Sequence, residues 1–319
     1  MDTFITQQIP VTAVVPTAGR SQVLKSTLQS MAAQNYQPEV IIIIDASEDN
    51  LTEQVCKLKF EGLTAVIHYR RANEKGAAVQ RNQAFTEIDK PVIFFFDDDI
   101  VFEERCVERL WNCLQSDDSI GGVNAMITNQ QYHTPGKLTR FMYRLMSGEN
   151  RATYAGKCIG PAWNLLPEDR GDLPETNEVE WVNTTCTLYR NTALPSPPFP
   201  VQFKDYSLLE DLCLSLTVGK KWKLFNARNA KIFHNSQSGT HKNNVRNLAR
   251  MELVNRHYLM VNVLKKSALS DYCKLFLFEL FGMVTVLTTI SGRKNLIPVI
   301  IGKLSAIGKI LFAKNKHGQ

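Results

Sequence analysis

Over the first 125 residues the apolar positions follow two spacings. Short unbroken runs stand at VTAVVPT (11–17), EVIIIID (39–45), TAVIHY (64–69) and VIFFF (92–96). Runs of this length between polar residues predict strands buried on both faces. Between them, apolar residues recur every three or four positions, the period of a helix with one buried side. SQVLKSTLQSMAAQ (21–34) places Val23, Leu24, Leu28 and Met31 in this way; NLTEQVCKLKF (50–60) follows, with Asn50 as its cap. EKGAAVQRNQAFTEI (74–88) and a segment over 103–115 complete the set. Strands alternating with helices predict an α/β fold, a mostly parallel central sheet with flanking helices. Ligands of such sheets bind beyond the carboxyl ends of the strands, where Pro16, Thr17, Asp45 and Asp97-Asp98-Asp99 all fall.

After residue 125 the pattern loosens. Residues 128–180 carry Gly, Pro and polar clusters and predict a long, partly irregular insertion. TTCTLYR (184–190) predicts a strand, LLEDLCLSLTVGKKW (208–222) a helix closed by Gly219, and KLFNARNAKIFH (223–234) one or two short strands. A helix rich in Arg and Asn is expected over 242–264. These shifts divide the chain into parts at 1–125 and 126–240, together one domain, and a C-terminal helical region at 241–319. In that region LFLFELFGMVTVLTTI (275–290) has a single charge, Glu279. It is shorter than the roughly 20 residues that span a bilayer. LIPVIIGKLSAIGKILFAK (296–314) alternates apolar runs with lysines.

Composition refines this picture. At 319 residues, 44% hydrophobic and 21% charged, the chain is globular rather than disordered. Its net charge of +6 is concentrated: from Lys265 onward nine Lys and Arg face only Asp271 and Glu279, leaving the first 264 residues near −1. Nucleic-acid binding by the body is therefore not expected. A basic, apolar tail predicts docking on an anionic membrane surface; a helical cap or a dimer interface is the alternative. Seven cysteines show neither zinc spacing nor a disulfide framework. The opening MDTFITQQIPVTAVVP lacks the basic n-region of a leader. Both point to a cytoplasmic chain, peripheral at the inner face of the cell membrane, whose sequons at Asn50 and Asn183 are accidental.

Chemistry gathers at a few positions. Side chains alternate along an extended segment, so Asp97 and Asp99 share a side and Asp98 points opposite. Two carboxylates on one side make half of a hard-cation site for Mg²⁺ or Mn²⁺; a solvated acidic turn is the plainer reading. Glu210-Asp211 opens a helix, where carboxylates serve as caps or as a general base. His234 ends an apolar run and is either structural or a metal ligand. Arg81, in GAAVQRNQAF, lies on a solvated helix face or contacts a nucleotide or an aspartate. Lys242, Arg246 and Arg250 fall at helical spacing after a Gly-containing loop, as a surface helix or a lid. Trp163 and Trp181 are either core residues or stacking platforms for a sugar ring.

In their order along the chain, Pro16-Thr17 with Arg20, Asp45, GAAVQRN, FFFDDD, LEDLCLSLTVGKKW and KIFHNS resemble the family 2 glycosyltransferases of GT-A fold, over roughly residues 9–235. The resemblance implies a nucleotide-diphosphate sugar donor, a divalent metal, a saccharide or lipid-linked saccharide acceptor, and inversion at the anomeric carbon. It implies a nucleotide-binding part at 1–125 and an acceptor-binding part at 126–240. Pro16, Thr17 and Arg20 would line the nucleotide pocket, Asp45 would meet base or ribose, and Arg81 would buttress the base side. Asp97 and Asp98 join the nucleotide contacts, with Asp97 also near the metal. Asp99 would bind the metal directly, His234 would approach it, and Asp211 would be the base with Glu210 beside it. Where many members carry two aspartates after the second strand, Ile44 precedes Asp45 here. The Gln-x-x-Arg-Trp signature of processive synthases is replaced by NNVRNLAR, which favours addition of one sugar, in surface polysaccharide assembly. A metal-dependent nucleotidyltransferase or phosphohydrolase would also place acids at strand ends, and a non-catalytic module could keep the pocket.

Overall fold

The four apolar runs form four adjacent parallel strands: β1 (Gln7–Thr17), β2 (Tyr36–Asp45), β3 (Val66–Arg71) and β4 (Val92–Phe96). A computed structural model describes residues 6–204, 206, 208–236, 244–288 and 290–316. The sheet continues through β5 (Ile100–Phe102), β6 (Ile120–Ile127), β9 (Thr176–Val179), β10 (Cys186–Arg190) and β11 (Lys223–His234); β7 (Cys158–Ile159) and β8 (Trp163–Asn164) pair separately. Its order is β3-β2-β1-β4-β10-β6-β11-β5, with β9 pairing β11. β10 runs antiparallel to both β4 and β6, whereas β6 and β11 are parallel. From β1 the chain moves outward to β2 and β3, then returns to set β4 on the other flank of β1. The order reverses there, so a crevice opens beyond the carboxyl ends of β1 and β4.

Alternation along these strands builds the two faces. Val11, Ala13, Val15, Phe94 and Phe96 cluster with Leu24 and Leu28 of α1 (Ser21–Ala32) and Leu110 and Leu114 of α4 (Cys106–Gln115). Phe95 points the other way, its ring 6.1 Å from Tyr189 and 5.8 Å from Phe199. Each such aromatic removed from water contributes roughly 1.5–3 kcal/mol.

The short helices α2 (Leu51–Cys56), α3 (Ala77–Phe85) and α6 (Glu210–Val218) fall inside the predicted segments but end sooner. Asn50 stands before α2 without capping it: its side chain accepts from Arg71 at 2.8 Å, and Asp49 takes the Leu51 amide at 3.0 Å. β6 was not expected, because Gly121-Gly122 reads as a turn. Both glycines are needed for close approach: a Cβ on Gly121 would lie 2.5 Å from Trp222 Cβ, and one on Gly122 2.6 Å from the Tyr189 ring.

The chain forms two compact units, 1–133 with 155–157 and 165–237, and 134–154 with 158–164 and 238–319. Most of 134–164 thus groups with the C-terminal helices. The second unit contains α5 (Lys137–Ser147), β7 and β8, α7 (Val245–Tyr258) running into a π-helical stretch at Leu259–Val263, α8 (Leu269–Val286) and α9 (Ile290–Lys316). α7 and α9 touch so closely that a Cβ on Gly302 would collide with the Arg246 carbonyl. Among the described residues no helix is long and apolar enough to cross a membrane.

Candidate active site

The acidic triplet sits at the carboxyl end of β4 and divides as the alternation predicts. Asp97, Asp99 and His234 turn toward one point, each offering one ligand atom, all within 4.8 Å of one another. His234 arrives from the far end of β11, where an antiparallel ladder sets it opposite Ile100. Its Nε2 lies 3.1 Å from Asp99 Oδ1, and its Nδ1 lies 3.2 Å from the Gln130 carboxamide. Two carboxylates and an imidazole are a donor set for Mn²⁺ or Mg²⁺.

Asp98 faces the opposite way and is buried. Thr17 Oγ1 donates to it at 2.5 Å, and Arg20 Nη2 pairs with it at 2.6 Å. Burial pushes its carboxyl up to about 7, against the Arg20 charge and the Thr17 hydrogen bond. Thr27 of α1 clamps the backbone here, donating to the carbonyls of Asp98 and Ile100 at 2.7 and 2.8 Å. Pro16, Thr17 and Asp98 are all buried at the ends of β1 and β4. Arg20 is partly exposed, with Nη1 3.1 Å from Asp99 Oδ2.

Asp45 is buried in the same way. It is fully buried at the end of β2, accepting from the Ser47 amide at 2.9 Å and the Tyr69 hydroxyl at 3.0 Å, with Arg71 at 3.3 Å. Its carboxylate organises those neighbours. Gln80 of α3 staples the two strand ends together, donating to the carbonyls of Thr17 and Ile44 at 3.0 and 2.6 Å.

Arg81 makes the aspartate contact that was one of its two readings, and its side chain, 2% exposed, is not on a solvated face. It lies 5.8 Å from the ring centroids of both Phe95 and Phe199, 2.7 Å from Asp97 Oδ1 and 3.6 Å from Glu210 Oε1. One buried guanidinium thus ties the ligand cluster to the first turn of α6. That turn follows Leu209, whose φ of 71° is left-handed and strained for a side chain of its size. Ser215 fixes the helix from within, accepting from Val182 N at 3.0 Å and donating to Val182 O at 2.9 Å. Burial raises the proton affinity of both Glu210 and Asp211; the Asp211 charge raises Glu210 further, and Arg81 opposes both shifts. Tyr206, which the sequence did not single out, stands among these acids: burial first, then the charges of Glu210, Asp97, Asp211 and Asp99, push its phenol up.

Trp181 is not a stacking platform. It is buried, with its indole N–H donating to the Leu165 carbonyl at 2.7 Å. Trp163 lies in the second unit, where Tyr143 and Phe278 approach it edge to face at 4.7 and 4.8 Å. Arg246 and Arg250 lie on α7 of that unit, Arg250 donating to Asn247 at 2.7 Å, and Lys242 lies outside the described residues.

Residues 12–194, more than half of the chain, match the family described as glycosyl transferase family 2. The chain belongs to that family. The match includes the acidic triplet but stops short of Glu210, Asp211 and His234, which the structure brings to the same crevice. A curated relative, the poly(ribitol-phosphate) beta-N-acetylglucosaminyltransferase TarP of Staphylococcus aureus (strain N315), is 33% identical over 106 residues, 32% of each chain. The match thus spans about a third of that relative's length. Among solved structures, S. aureus TarS 1-349 superposes with a TM-score of 0.55 at 12% identity, covering 93% of this chain and 81% of that one. The mannosyltransferase PcManGT from Pyrobaculum calidifontis, in complex with GDP-Man and Mn²⁺, gives 0.53 at 13%, covering 98% and 81%. At such identities these likenesses speak to fold, and the GT-A expectation holds for this family 2 chain.

Proposed function

We propose that the chain transfers one sugar from a nucleoside diphosphate donor to a hydroxyl of a saccharide acceptor, free or lipid-linked, with inversion, in surface polysaccharide assembly. The observation that carries this reading is the link through Arg81 between the Asp97–Asp99–His234 cluster and the carboxylates opening α6. The donor would lie in the crevice between β1 and β4, its diphosphate toward Arg20. Asp97, Asp99 and His234 fit Mg²⁺ or Mn²⁺, which when bound screens diphosphate charge. Asp211 takes the proton of the acceptor hydroxyl as that oxygen bonds the anomeric carbon. The bond from that carbon to the diphosphate oxygen breaks, and its electron pair leaves with the nucleoside diphosphate. Attack from the face opposite the leaving group inverts the centre. Arg81 keeps Asp97 and Glu210 in register, and its charge keeps the α6 carboxylates from holding a proton too tightly. The lack of Gln-x-x-Arg-Trp supports single addition.

A thermal-shift screen of nucleoside diphosphates and their sugars, with and without Mn²⁺, tests the reading. A bound donor at 100 times its Kd stabilises by about 2.7 kcal/mol. The matching labelled sugar should then appear on an acceptor in step with released nucleoside diphosphate. Released pyrophosphate, or binding without transfer to any acceptor, would overturn it.

A further inference from the structure

The second unit reverses the usual placement of charge. Glu279, the one charge in the apolar run of α8, is buried and paired with Lys303 of α9. Lys303 also lies 3.7 Å from Glu252 of α7, which pairs with Arg256 at 3.1 Å, and that guanidinium lies 4.3 Å from the Phe278 ring centroid. The charges thus lie between the helices, and the outward positions are apolar. Phe276, Leu280 and Val284 follow at one-turn intervals along α8, as do Ile297, Ile301 and Leu304 along α9; Phe276, Ile297 and Leu304 are 65, 69 and 63% exposed. α5 repeats the pattern, burying Met142, Tyr143 and Met146 while Leu138 and Phe141 are 65 and 61% exposed. Trp163, wedged against Tyr143 and Phe278, joins α5 to α8.

On α5 and α9 the charges that face outward have one sign. Neither α5 nor α9 contains an acid, and α8 adds only Asp271 to the buried Glu279. Lys137, Arg140 and Arg144 on α5, and Arg293, Lys294 and Lys309 on α9, are exposed. A second copy presenting these faces would set cation against cation. A neutral apolar partner would leave the cations unmatched. The surface of an anionic bilayer meets both needs, with acyl chains against Phe, Ile and Leu and headgroups against Lys and Arg. No described helix can cross, so these would lie in the plane of the surface.

We propose that the exposed faces of α5, α8 and α9 form a docking surface for an anionic phospholipid bilayer. The surface gives the membrane contact expected from the basic tail a definite location, and it stands independently of the transfer chemistry. The test is co-sedimentation of the full chain with vesicles of phosphatidylcholine alone and of phosphatidylcholine with phosphatidylglycerol. Binding is expected to the anionic vesicles only, weakening as salt rises. Phe141→Ser with Leu304→Ser should weaken it at least about tenfold. Arg144→Gln, Lys294→Gln and Lys309→Gln should each weaken it about fivefold. These side chains face solvent, so unchanged melting curves should accompany the loss. Nucleoside diphosphate binding in solution should also stay at the parent level, which separates failure of docking from failure of the transferase reading. Equal binding to neutral vesicles, binding to neither, or insensitivity to both sets of variants overturns the proposal. A stable oligomer in sedimentation equilibrium that Leu304→Ser dissociates also overturns it, assigning the faces to a second copy.

Discussion

Two arginines, Arg81 in the first unit and Arg256 in the second, are almost fully buried, and each lies near phenylalanine rings and carboxylates. Their surroundings differ in what stands beside the acids. Around Arg81 the partners Asp97 and Glu210 keep 25 and 16% of their side chains exposed at the crevice. Around Arg256 the direct partner Glu252 is 36% exposed, while Glu279 is buried against Lys303 between the helices. In the first unit the buried cation lies beside a set of possible metal ligands; in the second it lies among packed helices.

Four measurements break or sharpen this contrast. The largest effect is expected from Asp211→Asn, which should lower transfer about 10²- to 10⁴-fold while the melting curve and donor binding survive. Near-parent turnover would move the base elsewhere. Arg81→Met should cost about 10- to 100-fold, since it releases Asp97 from its orientation. It also removes the charge that holds down the proton affinity of Glu210 and Asp211. Because a base works only when ionised, the acid limb of the rate profile should move to higher pH; an unmoved limb would refute the coupling. In the second unit, Lys303→Met leaves Glu279 buried alone and should destabilise the helices by about 3 kcal/mol in denaturant titration, leaving donor binding intact. Adding Glu279→Leu should recover most of that loss, and a double variant no better than the single would show that the pair does not act together.

The smallest effect concerns Glu108 on α4, whose carboxyl is held down to about 2 from an ordinary 4.5 by Arg105 and by Asn35. A carboxyl depressed in the folded chain adds stability that is complete above 4.5 and is lost as pH falls toward about 2. Glu108→Gln should therefore lower stability by no more than about 1 kcal/mol at neutral pH, and the difference from the parent should vanish in acid unfolding curves below that range.

Much of this was legible in the sequence, for identifiable reasons. Buried parallel strands have one period and strong contrast, so β1 to β4 stood out, and alternation separated Asp98 from Asp97 and Asp99. The pattern could not show that the opposite side of the strand was already closed by Thr17 and Arg20, or that Asp45 was enclosed by Ser47, Tyr69 and Arg71. Apart from Ser47, two positions from Asp45, those facts depend on partners 24 to 81 positions away. Arg81 looked ordinary because its acids come from β4 and α6 and its rings from β4 and the segment before α6. β5 escaped notice because three residues are too few to reveal a period, and β6 because its glycines serve Trp222 and Tyr189 rather than a turn. The grouping of 134–154 and 158–164 with the tail left no local mark, since it rests on contacts made by residues more than 100 positions on, such as Phe278 against Trp163.

The ladder between β5 and β11 spans only three residue pairs, ending with His234 opposite Ile100. Slippage by a single step would carry an indifferent phenyl group, that of Phe233, to the spot where the imidazole belongs, because neighbours along a strand project to opposite sides. An insertion into the irregular stretch between Ala227 and Lys231 would thus disarm the crevice without touching any of its acids. Proofreading of that alignment falls to Asn129, whose side chain bonds both the amide and the carbonyl of His234, at 3.2 and 2.9 Å.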